Sequence, residues 1–583
     1  MSARSRSAAF ILLLTFAALP AAAQEFGPEL LPADTSFVVY SRGSAHAEAA
    51  YPDNPAVKSW NSPEFALLRQ QAVNYILRHN DWKVNGRPVN FTSANVEQIF
   101  SFLKSPMMLG YSGSADFNAF AKAGAPSAKD LMGAAGMFLI LDVTGKTAQF
   151  DLLFKIIEAN IPKEVARAPL NLSGINAEKF TGPQNTAFAA RVGNYFILSN
   201  QQKVMQDLIS RINSRAAQAN SLAVDSSFQR CRSNPDPDSV SEIYFRFPDL
   251  TKNPISPSPQ FDTAAAVRPL HLDSIRAVCG SFAITQQGEH TRWMVLGDIS
   301  TGGLFNVFGA NRSHFDSLAL APPSAYSYSV YSYDLPAIYK LVRSAAEAGL
   351  PKEQQSAIQV VEGMVGMQAS MPIVDVLGLI SGEFATFQLD SGTHTPLSMY
   401  AITISDSEKV SSLIHKLGTN FIVEDSHDDG VTLYKYARAV QDGEDANSSG
   451  LASPQYYMAI TPYFLIAGTD KQMVRNAAKA GSTAGISSLA SSPEIVSLRA
   501  ALPHDLLGLS VTDYTHQDWV GDWVKTLEQP DTADKSKLSP EDIQFFETMK
   551  KFAATTVGKT LMRRSVGGWW RDSDGFHYEA FSQ

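Results

Sequence analysis

One run of acidic residues with a histidine is the densest group of possible metal ligands in the chain. It reads Glu-Asp-Ser-His-Asp-Asp and contains Glu424, Asp425, His427, Asp428 and Asp429. Carboxylate oxygens are the ligands that Ca²⁺ prefers, and an imidazole adds a nitrogen ligand. The spacing differs from the calcium loop with acids at alternate positions and a distal Glu. The run therefore predicts a metal site, with a solvated turn between two strands as the alternative.

Two other motifs resemble catalytic ones but each lacks a required residue. The Gly-Lys-Thr triplet at 145–147 follows a predicted strand and opens a helix, yet Ile140 stands where a phosphate-binding loop needs its first Gly. The Gly-Tyr-Ser-Gly segment at 110–113 is one residue short of the Gly-x-Ser-x-Gly elbow. We therefore predict no catalytic residue and no cofactor.

The chain contains two cysteines, Cys231 and Cys279. In an oxidising compartment they could form a disulfide, and closing a loop of this length would stabilise the fold by about 4 kcal/mol. Two separate buried thiols are the alternative. Two thiols are too few to predict a zinc site of the usual kind.

The first 23 residues have the pattern of a signal peptide. Arg4 and Arg6 precede an apolar run at 8–19, Pro20 follows it, and the alanines at 21–23 suit a cleavage site. The run is shorter than the roughly 20 residues that span a bilayer. The sequence thus predicts export to the periplasm or the extracellular space, with no transmembrane segment in the mature chain.

Composition limits the remaining possibilities. A chain of 583 residues exceeds the size of a single core, so at least two domains are expected. The net charge is -9 and the cations are scattered, which excludes the basic stripe of a nucleic-acid-binding protein.

The chain is predicted to be an α+β protein made of two tandem, divergent copies of one unit. Each copy is expected to have a mixed or antiparallel sheet with helices mainly on one face. The predicted boundaries are 24–300 for the first copy, 301–320 for a connector and 321–583 for the second copy. The second copy carries a predicted helical insertion at 515–560.

Short segments that recur in the same order in both halves support this duplication. Residues 137–142 match 399–404, and 195–198 match 463–466. Between these segments each half has apolar residues at helical spacing, which make one stripe that faces a sheet. The two stripes are Phe150, Leu153, Phe154 and Ile157, and Val410, Leu413, Ile414 and Leu417.

The Leu-Pro-Ala-Asp-Thr opening at 31–35 follows the leader directly and precedes a strand and a long helix. In this it resembles a family of exported bacterial proteins of unknown function. The resemblance also covers 137–157 and 195–212. It implies export and an α+β fold, and it transfers no catalytic residue.

These features favour an exported, non-catalytic binding or assembly protein whose ligand belongs to the cell envelope or its surroundings. This hypothesis predicts a cleft without convergent titratable groups, so a buried Asp/Glu/His cluster at the junction of the halves would count against it. One alternative is a cell-envelope hydrolase with its site in loops of one half, at 424–429 or 515–560. A second alternative is a carrier of an apolar ligand that uses the Phe- and Tyr-rich strands.

Overall fold

The computed structural model describes most of the chain. The described residues are 26–79, 83–84, 87–88, 92–113, 136–159, 161, 163–183, 185–214, 219–233, 236, 238–248, 261–286, 288–307, 313–390, 397–418, 422–428, 431–436, 456–481, 487–516, 539–554 and 564–582. The proposed signal peptide, Asp429, and residues 517–538 and 555–560 of the predicted helical insertion lie outside them.

The described α-helices are numbered in chain order. They are α1 (Ala45–Ala50), α2 (Pro55–Trp60), α3 (Pro63–His79), α4 (Ser93–Leu103), α5 (Thr147–Ala159), α6 (Gln202–Asn213), α7 (Ser226–Cys231), α8 (Thr263–Leu270), α9 (Leu304–Val307), α10 (Leu335–Gly349), α11 (Lys352–Ala369), α12 (Ile373–Leu379), α13 (Ser407–Gly418), α14 (Lys471–Ala480), α15 (Pro493–Ala500) and α16 (Pro540–Ala554). Short 3-10 helices occupy Pro28–Leu30, Leu222–Val224, Leu272–Ser274, Ile299–Thr301, Asp316–Leu320, Leu489–Ser491 and Tyr514–His516.

The described strands are numbered in the same way. They are β1 (Thr35–Ser41), β2 (Lys83–Val84), β3 (Arg87–Pro88), β4 (Met107–Ser112), β5 (Gly136–Asp142), β6 (Ala166–Leu172), β7 (Ile175–Thr181), β8 (Thr186–Val192), β9 (Tyr195–Ser199), β10 (Ser239–Arg246), β11 (Ile275–Ile284), β12 (Glu289–Gly297), β13 (Ala325–Tyr333), β14 (Gly382–Leu389), β15 (Leu397–Thr403), β16 (Ile422–Asp428), β17 (Val431–Tyr436), β18 (Tyr456–Ile460), β19 (Phe464–Gly468), β20 (Gly508–Asp513), β21 (Arg564–Asp572) and β22 (Gly575–Ser582).

The predicted α+β class is confirmed, because helices accompany one large antiparallel sheet of 20 strands. In the N-terminal half the order across the sheet is β6-β7-β8-β9-β5-β4-β1-β10-β11-β12. In the C-terminal half it is β16-β17-β18-β19-β15-β14-β13-β20-β21-β22. When the strands of the large sheet are numbered along the chain within each half, the two halves therefore have the same strand order.

The two halves join edge to edge through the last strand of each. β12 pairs antiparallel with β22, from Glu289 opposite Ser582 to Leu296 opposite Gly575. This pair, which we call the joint, makes one continuous sheet instead of two separate ones. It also pairs two strands that would otherwise be exposed edges.

Helices cover both faces of the sheet, which corrects the expectation that they lie mainly on one face. In the N-terminal half, Val38 and Met108 belong to a core beneath α6, whereas Met107 and Leu141 belong to a core beneath α4 and α5. The reason is that successive residues of a strand point to opposite faces, and both sets are apolar here. The amino-acid sequence of these strands therefore already carried the pattern of burial on both faces, in which neighbouring residues are both apolar.

Two helix pairs connect the halves across the joint. α3 of the N-terminal half packs against α16 of the C-terminal half, with Tyr75 stacked on Phe545 at 5.0 Å and Arg78 bonded to Asp542 at 2.9 Å. Conversely, α8 of the N-terminal half packs against α10 of the C-terminal half. In each pair, a helix between the first two large-sheet strands of one half meets the helix that precedes the ninth large-sheet strand of the other.

Several helices begin where the sequence provides a capping carboxylate. Asp225, Asp334 and Asp470 accept hydrogen bonds from backbone N–H groups three residues later, at 2.9, 2.9 and 2.7 Å. Such caps satisfy donors that the first helical turn leaves unpaired.

Among the described helices, none alone has the length and apolarity to cross a bilayer. α11 and α12 meet those requirements only as a pair that is bent by 56°.

Candidate functional site

A cavity of about 280 Å³ opens on one face of the sheet beside the joint. Its floor is formed by β1, β10, β11, β12 and β22, and α7 forms one wall. We call this side the cavity face. Both halves contribute to the lining, because β22 and the β21–β22 turn come from the C-terminal half.

The cavity combines apolar and charged side chains. The apolar part includes Tyr40, Met108, Tyr244, Met294 and Trp570. The polar part includes Arg232, Asp236, Glu242, Ser281, Arg292, Asp572, Asp574, His577 and Glu579. Such a mixture suits an organic ligand that has both apolar surface and a charged or hydrogen-bonding group.

The structure brings Cys231 and Cys279 together in a disulfide, with their Cα atoms 5.9 Å apart. Cys231 ends α7 and Cys279 lies on β11, so the bond ties the wall of the cavity to its floor. On the same helix, Phe228 meets Tyr244 edge to face at 5.1 Å, and Arg230 bonds to Asp574 across the joint. These contacts hold α7 in place over the sheet.

A buried histidine lies between two carboxylates at the joint. His290 Nδ1 is 2.6 Å from Asp236 Oδ2, and His290 Nε2 is 2.7 Å from Glu579 Oε1. Arg292 Nε donates to the same Glu579 oxygen at 2.8 Å. The ring of His290 is stacked on Phe581 at 4.3 Å, and the residue is only 6% exposed.

The charges in this cluster stabilise one another. Burial by itself lowers the pKa of His290, but the hydrogen bonds to Asp236 and Glu579 outweigh it, so the pKa is raised above its ordinary value. The hydrogen bond from His290 lowers the pKa of Asp236. Burial raises the pKa of Glu579, but bonds from His290 and Arg292 bring it below its ordinary value. We infer a charged imidazolium between two ionised carboxylates.

The structure places a buried Asp/Glu/His cluster at the joint and titratable groups around the cavity, which counts against the expected cleft without convergent titratable groups. Both ring nitrogens of His290 are engaged as donors, so neither is free to take a proton from a substrate. Ser281, on the cavity floor, lies on β11 and His577 on β22. One intervening strand and a two-residue offset place the Cα atoms of the two residues about 12 Å apart, and the Nε2 atom of His577 lies beside Asp572.

The other charges around the cavity are also paired. Glu242 accepts a hydrogen bond from Arg42 at 2.7 Å and forms an ion pair with Arg232, whose Nη2 donates to it at 3.4 Å. His577 lies 2.9 Å from Asp572 and is stacked on Trp570 at 5.2 Å.

The predicted metal ligands at 424–429 stay a prediction. Residues 424–428 lie in β16, which pairs with β17, so their backbone is a strand and not a turn. Asp429 lies outside the described residues. Within the part of the chain that the structure describes, no group of three His, Cys, Asp or Glu side chains is placed to hold a metal ion.

The Gly-Lys-Thr triplet at 145–147 and the Gly-Tyr-Ser-Gly segment at 110–113 have structural roles. Lys146 donates to the carbonyl oxygen of Ser101 in α4, and burial lowers the pKa of Lys146. Gly113 accepts a hydrogen bond from Ser36, next to the end of β4. The cluster around His290 was not predicted from the sequence. His290 is 54 residues from Asp236 and 289 residues from Glu579, so no local motif connects them.

No protein-family model matches the chain, and no curated protein matches it. Two solved structures of TP0453 are similar to it. Crystal form IV has a TM-score of 0.23 and 9% identity, over 46% of this chain and 79% of that chain. Crystal form I has a TM-score of 0.22 and 10% identity, over 47% of this chain and 80% of that chain. The site must therefore be interpreted from its own contacts.

Proposed function

We propose that this chain is a non-catalytic binding protein whose ligand occupies the cavity at the joint. The observation that carries the proposal is a cavity formed by both halves, in which Asp236, Arg292 and Glu579 line the wall and are charge-balanced together with the buried His290 behind them. Ligand sites are commonly found where two units of a protein meet. The ligand is expected to be a small organic molecule with an apolar part and a charged or hydrogen-bonding group.

The proposal is tested by a substitution that places a large side chain on the floor of the cavity. Ser281→Trp adds a large ring next to Arg292, whereas Gln286→Trp adds the same ring on the exposed β11–β12 turn. Protein purified from its own host is compared by native mass spectrometry. We expect wild type and Gln286→Trp to carry the same bound mass and Ser281→Trp to lack it.

A hydrolase at the same cavity is the competing function, and it gives a different result. Purified protein is assayed on glycan, peptide and ester substrates. Turnover that Ser281→Trp abolishes and Gln286→Trp preserves would contradict the non-catalytic proposal.

We also propose that the halves arose by duplication of one module. Support comes from the matching strand orders and from the reciprocal packing of α3 on α16 and of α8 on α10. Superposition of the two halves in an experimental structure tests this. Unrelated connectivity in the strands would contradict it.

We further propose that the protein is exported after removal of residues 1–23. The disulfide supports this, since such bonds persist mainly in oxidising compartments. N-terminal sequencing of protein from the envelope and medium of its host should begin at Gln24. Full-length protein confined to the cytoplasm would be the opposite result.

A further inference from the structure

The face of the joint strands opposite the cavity is apolar but only partly covered. On the cavity face, Val38 and Tyr244 are buried. On the opposite face, their strand neighbours Val39 and Ile243 are half-buried, and Trp293 is 38% exposed. An apolar surface that a fold leaves accessible marks a place where an apolar partner binds. We call this side the open face.

Apolar side chains and glycines line up across the open face at one level of the sheet, on eight neighbouring strands. This aromatic row consists of Val39, Ile243, Gly280, Trp293, Tyr578, Trp569, Gly508 and Tyr331. From β1 to β21 the row crosses five strand spacings, or about 24 Å. It contains no charged side chain.

Glycines let the rings of the row lie against the sheet. A Cβ atom at Gly280 would be 2.7 Å from a ring carbon of Trp293, and one at Gly508 would be 2.8 Å from a ring carbon of Tyr331. Either contact is too short, so a larger residue would force the ring to move. The result is a low, smooth apolar floor rather than a set of projecting rings.

Helices limit access to this floor at both ends of the strands. α8, α9 and α10 lie at the end where β10, β12 and β13 finish, and Phe305 of α9 stacks on Phe576 at 5.2 Å. The pair of α3 and α16 lies at the opposite end, after β1 and β20. Between the two ends Tyr331, Trp569 and Tyr578 remain half-buried, and Trp293 is exposed.

Cations stand beside the row at one end of the strands. Arg571 follows Trp569 by two residues on β21 and so points to the same face, where its Nη1 donates to the carbonyl oxygen of Phe305 at 3.1 Å. Arg276 lies at the same end of β11 and is exposed. Arg276 interacts electrostatically with the carboxylate of Asp298, so Arg571 is the arginine that complements an anionic head beside the uncharged row.

We propose that the open face binds one long-chain fatty acid, with its tail along the aromatic row and its carboxylate at Arg571. An uncharged row of rings about 24 Å long with an arginine beside one end matches the length and polarity of a single hydrocarbon chain with an anionic head. The absence of charge along the row excludes a strongly polar tail. Arg571 supplies the ion pair that a carboxylate needs at the edge of an apolar site.

Binding is measured by fluorescence with delipidated full-length protein and cis-parinaric acid, a fluorescent C18 fatty acid. Oleic acid and oleyl alcohol serve as competitors. We expect saturable binding, which Trp293→Glu weakens by at least about tenfold because it places a charge against the tail. Trp293→Phe should restore binding. Tyr463→Glu, on an exposed aromatic residue far from the row, should leave it unchanged.

The head group is tested separately. Arg571→Gln should weaken competition by oleic acid by about tenfold, the range of a charge-assisted hydrogen bond, and leave oleyl alcohol unchanged. An equal loss for both competitors would overturn the assignment of Arg571. Wild-type protein that shows no saturable binding would overturn the site. So would a dimer, seen by analytical ultracentrifugation, that Trp293→Glu dissociates, because a second copy would then cover the open face.

Discussion

His290→Phe isolates the charge of the buried histidine from its packing. The phenyl ring can still stack on Phe581, but the bonds to Asp236 and Glu579 are lost. Removing one partner of a buried ion pair leaves an uncompensated charge and costs about 3–5 kcal/mol. Asp236 and Glu579 are both buried in the folded chain, so we expect a loss in this range.

The joint provides a matched control on the partner strand. His577 is also stacked on an aromatic ring and also contacts a carboxylate, but its side chain is 18% exposed and that of Asp572 is 50% exposed. Solvated pairs contribute about 0–1 kcal/mol. His577→Phe should therefore cost far less than His290→Phe in urea denaturation at pH 6.

The pH dependence follows from the directions of the pKa shifts. The pKa values of Asp236 and Glu579 are lowered from 3.8 and 4.5, so their contribution is present above those values and is lost as the pH falls through the folded values. The pKa of His290 is raised from 6.5, so its contribution is complete below 6.5 and is lost as the pH rises through the folded value. The gap between wild type and His290→Phe should be largest near pH 6 and should narrow toward pH 3. Equal losses for the two His variants, or a gap that is independent of pH, would refute a charged network.

Three further predictions concern stability, each measured by urea denaturation. Serine at both Cys231 and Cys279 should lower the free energy of unfolding by about 4 kcal/mol, because the bond closes a 48-residue separation, and added reductant should then have no further effect. Phe545→Ala should cost about 3–5 kcal/mol by leaving a cavity between α3 and α16, and a loss below 1 kcal/mol would mean that these helices do not pack as described. Glu383→Gln should cost about 3 kcal/mol, because Glu383 accepts hydrogen bonds from the backbone and side chain of Ser317, whereas an unchanged midpoint would argue against those bonds.

Local patterns predicted the elements well and their assembly poorly. The helical stripes of both halves were located correctly, in α5 and α13, because the 3.6-residue period is visible in a short window. The pairing of β12 with β22 was not predicted. An edge-to-edge contact between strands almost 300 residues apart has no periodic signal, and neither does the cluster around His290.

The open face shows a second limit of sequence reasoning. A strand that is apolar on both faces is read as fully buried, and alternation cannot tell a face covered by helices from one that is half open. At β12, Met294 packs into a core while Trp293 stays accessible, although both are large apolar residues. Only the positions of the helices, which tertiary packing sets, distinguish them.

The location of both proposed sites follows from the way the halves are joined. Each half packs helices over its own outer strands, such as α5 over β5 and α14 over β19. The strands next to the joint receive helices from both halves mainly at their ends, which leaves a central strip on each face. The side chains of successive residues such as Arg292 and Trp293 then point to opposite faces of the sheet, the first toward the charged cavity and the second into the aromatic row. A substitution at one of them should therefore affect one site and spare the other, which makes the two proposals separable by experiment.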